Sequence, residues 1–277
     1  MLKEQFYDTS EIQINYATGP ANGLPLLLLH GVTSNWQSFL PVISGLYQHS
    51  QIVAMDLRGH GMSGKIKHGY TLTEYSVDVV HFVQAKLEGS AIILGHSFGA
   101  LIAVYVAANL PQSIRGIILL DPPLIYRRME LKNSPWMGDQ EAYHWFSTAY
   151  DILRSSQSVN EIDNSLHSLF PSWPAENRHA LAHRLSQMDP DVLGMLISHQ
   201  HMEGYDIEQL LEQLICPVLV FQGNRSRGAA LADEDAQYLM RQLDSCTIIR
   251  LEEAGHNLHE THSKEIVEHV IHFITTV

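Results

Sequence analysis

The sequence contains little cysteine and no long apolar run. Cys216 and Cys246 are its two cysteines, which excludes a disulfide framework, and each lies beside a predicted strand, as a buried free thiol would. No apolar run reaches the roughly 18–20 residues that a membrane-spanning helix requires. The polar N-terminus is not followed by the apolar segment of a signal peptide. These absences predict a cytoplasmic protein that does not enter membranes.

Basic residues are also scarce, because 17 Lys and Arg stand against 30 Asp and Glu, for a formal net charge of −13. Binding to nucleic acid requires a basic surface, so nucleic acids are not expected as partners. Nothing in the sequence implies a cofactor. The expected partner is a small-molecule substrate, and the chain is expected to be a monomer or a homodimer.

Short apolar runs alternate with helical patterns along most of the chain. Residues 25–30 include four consecutive leucines, which is typical of a strand buried on both faces. Thr71 and Glu74 form a capping box before a predicted helix. The alternation predicts an α/β protein with a mostly parallel sheet covered by helices on both faces. Strands are predicted at 11–16, 25–30, 51–56, 91–94, 116–121, 217–222 and 247–251, and helices at 72–87, 231–243 and 266–274.

This alternation is interrupted once, between residues 122 and 216. The interval has no strand pattern and several helical ones, at 141–153, 175–187 and 207–214. A structureless connection of this length would be unusual. We therefore expect a core formed by residues 1–121 and 217–277, with a helical insertion at 122–216.

A serine lies where a strand turns sharply into a helix. The segment Gly95-His96-Ser97-Phe98-Gly99 separates an apolar strand from a helix of small apolar residues. A tight turn requires small neighbours, and the glycines provide them. The N-terminus of the helix directs N–H groups and a positive dipole at the serine, where negative charge develops during acyl transfer. The alternative is that the serine only caps the helix.

A nucleophilic serine also requires a base and an oxyanion hole. His256 is the candidate base, because it follows the last predicted strand at the carboxyl edge of the sheet, where sites in such folds collect. The backbone N–H groups of Val32 and Phe98 are the candidate oxyanion donors. Gly31 has no side chain, so the segment that contains Val32 can approach a ligand closely. The alternative there is an ordinary strand-to-loop turn.

Four motifs follow one another along the chain, namely His30-Gly31, Asp56-x-Arg58-Gly59-His60-Gly61-x-Ser63, Gly95-His96-Ser97-Phe98-Gly99 and Gly255-His256. In these motifs and their order, the chain resembles the α/β-hydrolases with a helical cap, over nearly its whole length. The resemblance implies that the 122–216 insertion is a cap that shapes the substrate pocket. It also implies that Asp56, Arg58 and Ser63 hold loops beside the site.

The acid that should orient the base is not where this family most often has it. The usual Gly-x-x-Asp after the strand that ends at Gln222 is replaced by Gly223-Asn224-Arg225-Ser226. A minority of the family takes the acid from the end of the preceding strand, which here is Asp121. We favour Asp121. Asp233, at the start of a predicted helix, and a dyad polarised by Asn224 remain open.

Further residues are candidates for the substrate pocket or for a metal. Trp36, His30 and Trp145 are predicted to line the pocket, with core packing as an equal alternative for Trp36. A metal site is not expected, although the chain has 17 histidines. His-Glu-Thr-His at 259–262 lacks the i, i+4 spacing of a helical zinc motif.

These features together predict a serine hydrolase. Ser97, His256 and an acid would cleave small or medium, mostly apolar carboxylic esters, thioesters or lactones through an acyl-enzyme. Carbon–carbon bond hydrolysis and acyl transfer or perhydrolysis remain alternatives on the same residues. A ligand receptor with residual hydrolysis is an alternative of another class. A serine nucleophile argues against dehalogenase and epoxide hydrolase chemistry.

Overall fold

The computed structural model describes residues 2–87, 89–124, 140–156 and 158–277. The described residues include one eight-stranded sheet with helices on both faces, which confirms the predicted α/β class. Its strands are β1 (Lys3–Asp8), β2 (Gln13–Thr18), β3 (Pro25–Leu29), β4 (Gln51–Met55), β5 (Ala91–His96), β6 (Ile114–Leu120), β7 (Val218–Gly223) and β8 (Cys246–Leu251).

Helices connect most of these strands. They are α1 (Leu40–Leu46), α2 (Leu72–Lys86), α3 (Phe98–Asn109), α4 (Gln140–Ser155), α5 (Val159–Leu169), α6 (Ala175–Ser186), α7 (Pro190–Ile197), α8 (Ile207–Glu212), α9 (Asp233–Gln242), α10 (Leu258–Thr261) and α11 (Ser263–Thr276). The predicted capping box of α2 is present, since the Thr71 hydroxyl accepts from the Glu74 amide and the Glu74 carboxylate accepts from the Thr71 amide. In the described part of the chain, no helix is long and apolar enough to cross a membrane.

The order of the strands places a crevice at the carboxyl edge of the sheet. The order is β1-β2-β4-β3-β5-β6-β7-β8, in which β3 to β8 run parallel and β1 and β2 are antiparallel additions at one end. The chain leaves β3 toward one side of the sheet and β5 toward the other. In open α/β sheets, ligands bind beside such a switch point, at the ends of the strands. Here the switch point lies between the ends of β3 and β5.

Two apolar layers hold the helices against the sheet. One contains side chains from α2, α3 and α9 and from the helices between β6 and β7. The other, on the opposite face, contains side chains from α1, α10 and α11. The central strands are buried on both faces, as the run of leucines in β3 predicts, because each face is covered by one of these layers.

All the regular elements described between β6 and β7 are helices, namely α4 to α8 and a short 3-10 turn. Several hydrogen bonds join this segment to the rest of the described chain, and in two of them the segment donates to a backbone carbonyl outside it. The Tyr205 hydroxyl donates to the Leu101 carbonyl of α3 at 2.6 Å, and the Asp189 amide donates to the Gly59 carbonyl at 2.7 Å. The division into core and cap stays a prediction, and residues 125–139 of the predicted insertion lie outside the described residues.

Candidate active site

Ser97 occupies a strained turn between β5 and α3. Its φ of 52° and ψ of −115° lie outside the regions that non-glycine residues favour. A Cβ on Gly95 would lie 2.2 Å from the Gly99 carbonyl oxygen, and one on Gly99 would lie 2.1 Å from the Leu29 carbonyl oxygen. Only glycine fits at these two positions. Ser97 occupies the N-cap position of α3, but its side chain makes no capping hydrogen bond to the helix.

Three side chains from separate parts of the sequence form one hydrogen-bonded line. The Ser97 hydroxyl lies 2.9 Å from Nε2 of His256, and Nδ1 of His256 lies 2.6 Å from Oδ2 of Asp121. The carboxylate of Asp121 is fully buried, whereas about a third of the His256 side chain is exposed. Because the carboxylate accepts a hydrogen bond from Nδ1–H, it fixes the tautomer that leaves Nε2 free to accept the serine proton.

The backbone between β7 and α9 holds the Asp121 carboxylate in place. The Ala230 amide donates to Oδ2 at 2.6 Å, and the Leu231 amide donates to Oδ1 at 3.1 Å. These donors replace the water that a buried carboxylate loses. The residue itself has a positive φ of 48°, directly after β6. The loop in which this family most often has its acid therefore supplies donors to an acid from the neighbouring strand.

The other two candidates for the acid have different partners. Asp233 is the first residue of α9, where it accepts from Gln222 at 2.9 Å and forms an ion pair with Arg250 at 2.5 Å. The Asn224 side chain accepts from the Ser226 amide and donates to the Glu252 carbonyl, which closes a local turn. Of the three candidates, the structure brings Asp121 to His256.

The two candidate oxyanion donors lie on either side of the serine. A Cβ on Gly31 would lie 3.3 Å from Cβ of Ser97, so the loop after β3 passes beside the nucleophile. In the described part of the chain, the Val32 amide makes no hydrogen bond. The Phe98 amide is the first N–H of α3 and has no acceptor within the helix. Both amides are therefore available to a ligand, while the Phe98 ring packs edge-on against Tyr75.

Two of the three predicted pocket residues have other positions. His30 does not line the pocket, because its side chain is fully buried and backbone groups face both ring nitrogens. Trp36 does not line the acyl site either. It packs in the layer with α1 and α11, and its indole N–H donates to Glu4 at 2.8 Å. Trp145, on α4, is half-buried beside Phe170, and its place in the pocket stays a prediction.

Two further histidines, His96 and His259, lie beneath His256. Nε2 of His96 lies 3.0 Å from the His256 carbonyl oxygen, so its N–H holds the turn that presents the base. The His96 ring packs against those of His256 and His259, with centroids 4.8 and 4.4 Å away. Burial lowers the pKa of His96 well below its usual range and that of His259 to about 3. Both rings are neutral at pH 7 and put no charge beside the base.

The motif after β4 fixes the loops around the site, as the resemblance implies. The Asp56 carboxylate accepts from the Trp36 and Met62 amides at 2.9 and 3.0 Å, and the Ser63 hydroxyl donates to the Asp56 carbonyl at 2.6 Å. The buried guanidinium of Arg58 forms an ion pair with Asp78, with contacts of 2.6 and 2.7 Å. Backbone amides thus satisfy the Asp56 carboxylate and Asp78 satisfies Arg58, and in the described part of the chain none of these side chains contacts Ser97.

A Gly-x-Gly-x-x-Gly pattern, formed by Gly59, Gly61 and Gly64, also lies in this motif. It differs from a dinucleotide-binding loop in two ways. The Asp56 carboxylate lies where a Cβ on Gly61 would be, with Oδ2 only 2.1 Å from that position, and the next helix begins at Leu72 rather than at the pattern. Among the described residues, no group of three or more His, Cys, Asp or Glu side chains could hold a metal ion.

The chain matches a family of known proteins, hydrolases of known sequence and solved structures. A family model described as alpha/beta hydrolase fold matches residues 25–263. A 2-(acetamidomethylene)succinate hydrolase from Mesorhizobium japonicum is 36% identical over 100 residues, which is 36% of each chain. A pimeloyl-[acyl-carrier protein] methyl ester esterase from Xylella fastidiosa is 26% identical over 94% of this chain and 96% of that protein. The crystal structure of an E-2-(acetamidomethylene)succinate hydrolase superposes over the whole length of both chains with a TM-score of 0.79 at 21% identity, a likeness of fold.

Proposed function

The chain belongs to the α/β-hydrolase fold family, and we propose that it is a serine hydrolase that cleaves carboxylic esters. In this proposal Ser97 is the nucleophile, His256 the general base and Asp121 the acid that orients it. The observation that carries the proposal is the line of two hydrogen bonds, 2.9 and 2.6 Å long, that joins the three side chains. Their roles in catalysis are inferred from this geometry.

The reaction would begin with attack of the Ser97 hydroxyl oxygen on the ester carbonyl. His256 takes the hydroxyl proton at Nε2 as the new C–O bond forms, and the Asp121 carboxylate stabilises the resulting imidazolium. The tetrahedral intermediate collapses when His256 gives the proton to the departing alkoxide. A water molecule, deprotonated by the same imidazole, then hydrolyses the acyl-enzyme and restores Ser97.

The oxyanion would be bound by the Val32 and Phe98 amides. Neither amide has a hydrogen-bond partner among the described residues, and both lie next to the nucleophile. Donors of this kind act without rearranging during the reaction, and loss of one costs on the order of 10²–10³ in kcat in other serine hydrolases. Both donors are backbone groups. Their positions therefore depend on the conformations of the loop after β3 and of the turn at Ser97, rather than on the identity of any side chain.

The acyl group is proposed to be small or medium in size and mostly apolar. Three aromatic rings in the segment between β6 and β7 support this proposal. The ring centroids of Trp145, Phe170 and Trp173 lie 4.4–6.5 Å apart. The esterase relative that matches 94% of the chain favours an ester as the scissile group. We also propose that the protein is cytoplasmic and that its substrate is a small molecule.

A second candidate is favoured by the relative that is 36% identical over 100 residues. That protein is a 2-(acetamidomethylene)succinate hydrolase, so its substrate is named as a small carboxylic acid rather than as an ester. The same three residues would then act on such an acid, whose acetamido group offers an amide bond to hydrolysis, and carbon–carbon bond cleavage stays a separate alternative. The two candidates share the nucleophile and differ in the substrate.

Turnover of p-nitrophenyl esters with short, medium and long acyl chains tests the proposal, with wild type and Ser97→Ala compared side by side. We expect multiple turnovers by the wild type, a maximum at short or medium chains, and loss of turnover in Ser97→Ala. Circular dichroism shows whether the variant is folded. A folded wild type that binds these esters but does not turn them over would favour the receptor alternative. Turnover of 2-(acetamidomethylene)succinate alone would favour the second candidate.

A further inference from the structure

His30 lies directly behind the loop that carries one of the proposed oxyanion donors. It follows β3, and its ring fills the space between the ends of β3 and β4 with none of its surface exposed. The Leu57 amide donates to Nε2 at 3.0 Å, and Nδ1 lies 2.7 Å from the Gly31 carbonyl oxygen. Backbone groups therefore face both nitrogens of a fully buried ring.

These two contacts determine where the ring carries its proton. Nε2 accepts from an N–H and must present its lone pair, so the proton of the neutral ring is on Nδ1. Burial lowers the pKa of His30 well below its usual range, which keeps the ring neutral. Nδ1–H then donates to the Gly31 carbonyl. The other neutral tautomer would place two donors together at Nε2 and two acceptors at Nδ1.

The Gly31 carbonyl and the Val32 N–H belong to the same peptide group. A peptide group is planar, and in its trans form the C=O and N–H point in opposite directions, so a bond that holds one also aims the other. Among the described residues, no peptide bond is cis. A peptide beside a glycine would otherwise rotate easily. The bond from His30 therefore restricts the direction of the Val32 N–H.

The same bond strengthens the Val32 amide as a donor. Hydrogen bonds that run through one peptide group polarise each other, because a carbonyl that accepts a bond makes its own N–H more positive. The chain of donors runs from Leu57 N–H to the His30 ring, and from the ring to the Gly31–Val32 peptide. On the far side, the carbonyl of Val32 contacts Nε2 of the buried His60. Val32 is thus held at the peptide bonds before and after it.

We propose that His30 is a positioning residue that orients and polarises the Gly31–Val32 peptide, so that the Val32 N–H points at the oxyanion formed when Ser97 attacks. This inference rests on the proposed function. It replaces the expectation that His30 contacts the substrate, because the ring acts through the backbone and never reaches the pocket.

Two amide substitutions separate positioning from structural support. The side-chain amide of His30→Asn lies near the place of Nδ1 and retains a donor to the Gly31 carbonyl. The amide of His30→Gln lies near the place of Nε2 and retains an acceptor for the Leu57 N–H. Each variant keeps one of the two buried hydrogen bonds, so we expect similar losses of Tm. Only His30→Asn keeps the bond to the oxyanion peptide.

We expect His30→Gln to have a kcat at least about tenfold below that of His30→Asn on the best p-nitrophenyl ester, with nearly equal KM, as a part of the 10²–10³ that a whole donor contributes. The rate at which an alkyl fluorophosphonate labels Ser97 should fall in the same order, since that reaction also forms an oxyanion. Equal kcat and labelling rates in the two variants, or a difference in KM alone, would overturn the role of His30.

A measurement on the wild type keeps the inference testable if both variants fail to fold. Histidine-selective ¹⁵N NMR should show His30 with a protonated Nδ1 and an unprotonated Nε2, unchanged across neutral pH. Protonation at Nε2 would overturn the inference. A folded wild type that the fluorophosphonate does not label at Ser97 would refute the proposed function itself. Labelling of the wild type with equal rates in both variants would refute the role of His30 alone.

Discussion

Replacement of Asp121 by Asn tests which carboxylate serves the base. Asparagine has nearly the same shape, but one of its two polar atoms is an NH₂ group and it carries no charge. If its oxygen faces His256, the NH₂ group lies against the Leu231 amide, which needs an acceptor 3.1 Å away. If the NH₂ group faces His256, it opposes the Ala230 amide and reverses the tautomer of the imidazole. In both orientations the imidazolium formed during the reaction loses its counter-charge.

The expected loss of kcat is on the order of 10⁴, the size found when this carboxylate is removed from other serine hydrolases. The matched control is Asp233→Asn, which also removes a carboxylate with polar partners, here Gln222 and Arg250. Asp233 does not contact His256 and more than half of its side chain is exposed, so kcat should be nearly unchanged. Steady-state turnover of a p-nitrophenyl ester, with Tm as the check on folding, measures both. A larger loss in Asp233→Asn than in Asp121→Asn would refute the assignment of the acid.

Three other predictions concern stability and cofactor use. Gly95→Ala should destabilise the fold by about 3 kcal/mol or more, because the new methyl group would lie 2.2 Å from a carbonyl oxygen, whereas Gly194→Ala in α7, with 3.6 Å of space, should be neutral or stabilising. Equal Tm values for the two variants would contradict this reasoning. The pKa of His259 is lowered to about 3, so its neutral ring favours the folded state above pH 6.5 and this contribution is lost as the pH falls. His259→Phe should therefore lose about 2 kcal/mol less stability than the wild type between pH 7.5 and about pH 5 in urea unfolding, and equal losses would disprove the buried neutral ring. Dialysis against EDTA should leave esterase activity intact, and a loss that Zn²⁺ restores would contradict a metal-free mechanism.

The parts of the fold that depend on local pattern were predictable from the sequence. The central strands are short apolar runs, because both of their faces are buried, and the turn at Ser97 is marked by glycines that no other residue can replace. The first strand was not predicted. β1 lies at the edge of the sheet with nearly all its residues exposed, so its sequence has no apolar pattern and only its pairing with β2 makes it a strand.

The residues of the site were harder to place where side-chain direction decides the role. Asp121 directly follows β6, whereas Asp233 begins α9 after the loop that follows β7, and only the packing of that loop shows which carboxylate meets His256. His30 and Trp36 both follow β3, yet one ring turns beneath the loop and the other toward β1. The side chain of a residue at a strand end can point in several directions, and the direction it takes depends on neighbours that are remote in sequence.

Intact-protein mass spectrometry during the first turnovers of a p-nitrophenyl ester tests the central claim most directly. If Ser97 is the nucleophile, mixing should give a burst of p-nitrophenol together with a mass gain of one acyl group, and peptide mapping should place the group on Ser97. The burst and the adduct should both be absent from Ser97→Ala. Steady turnover by Ser97→Ala, or an acyl group found on another residue, would contradict the account.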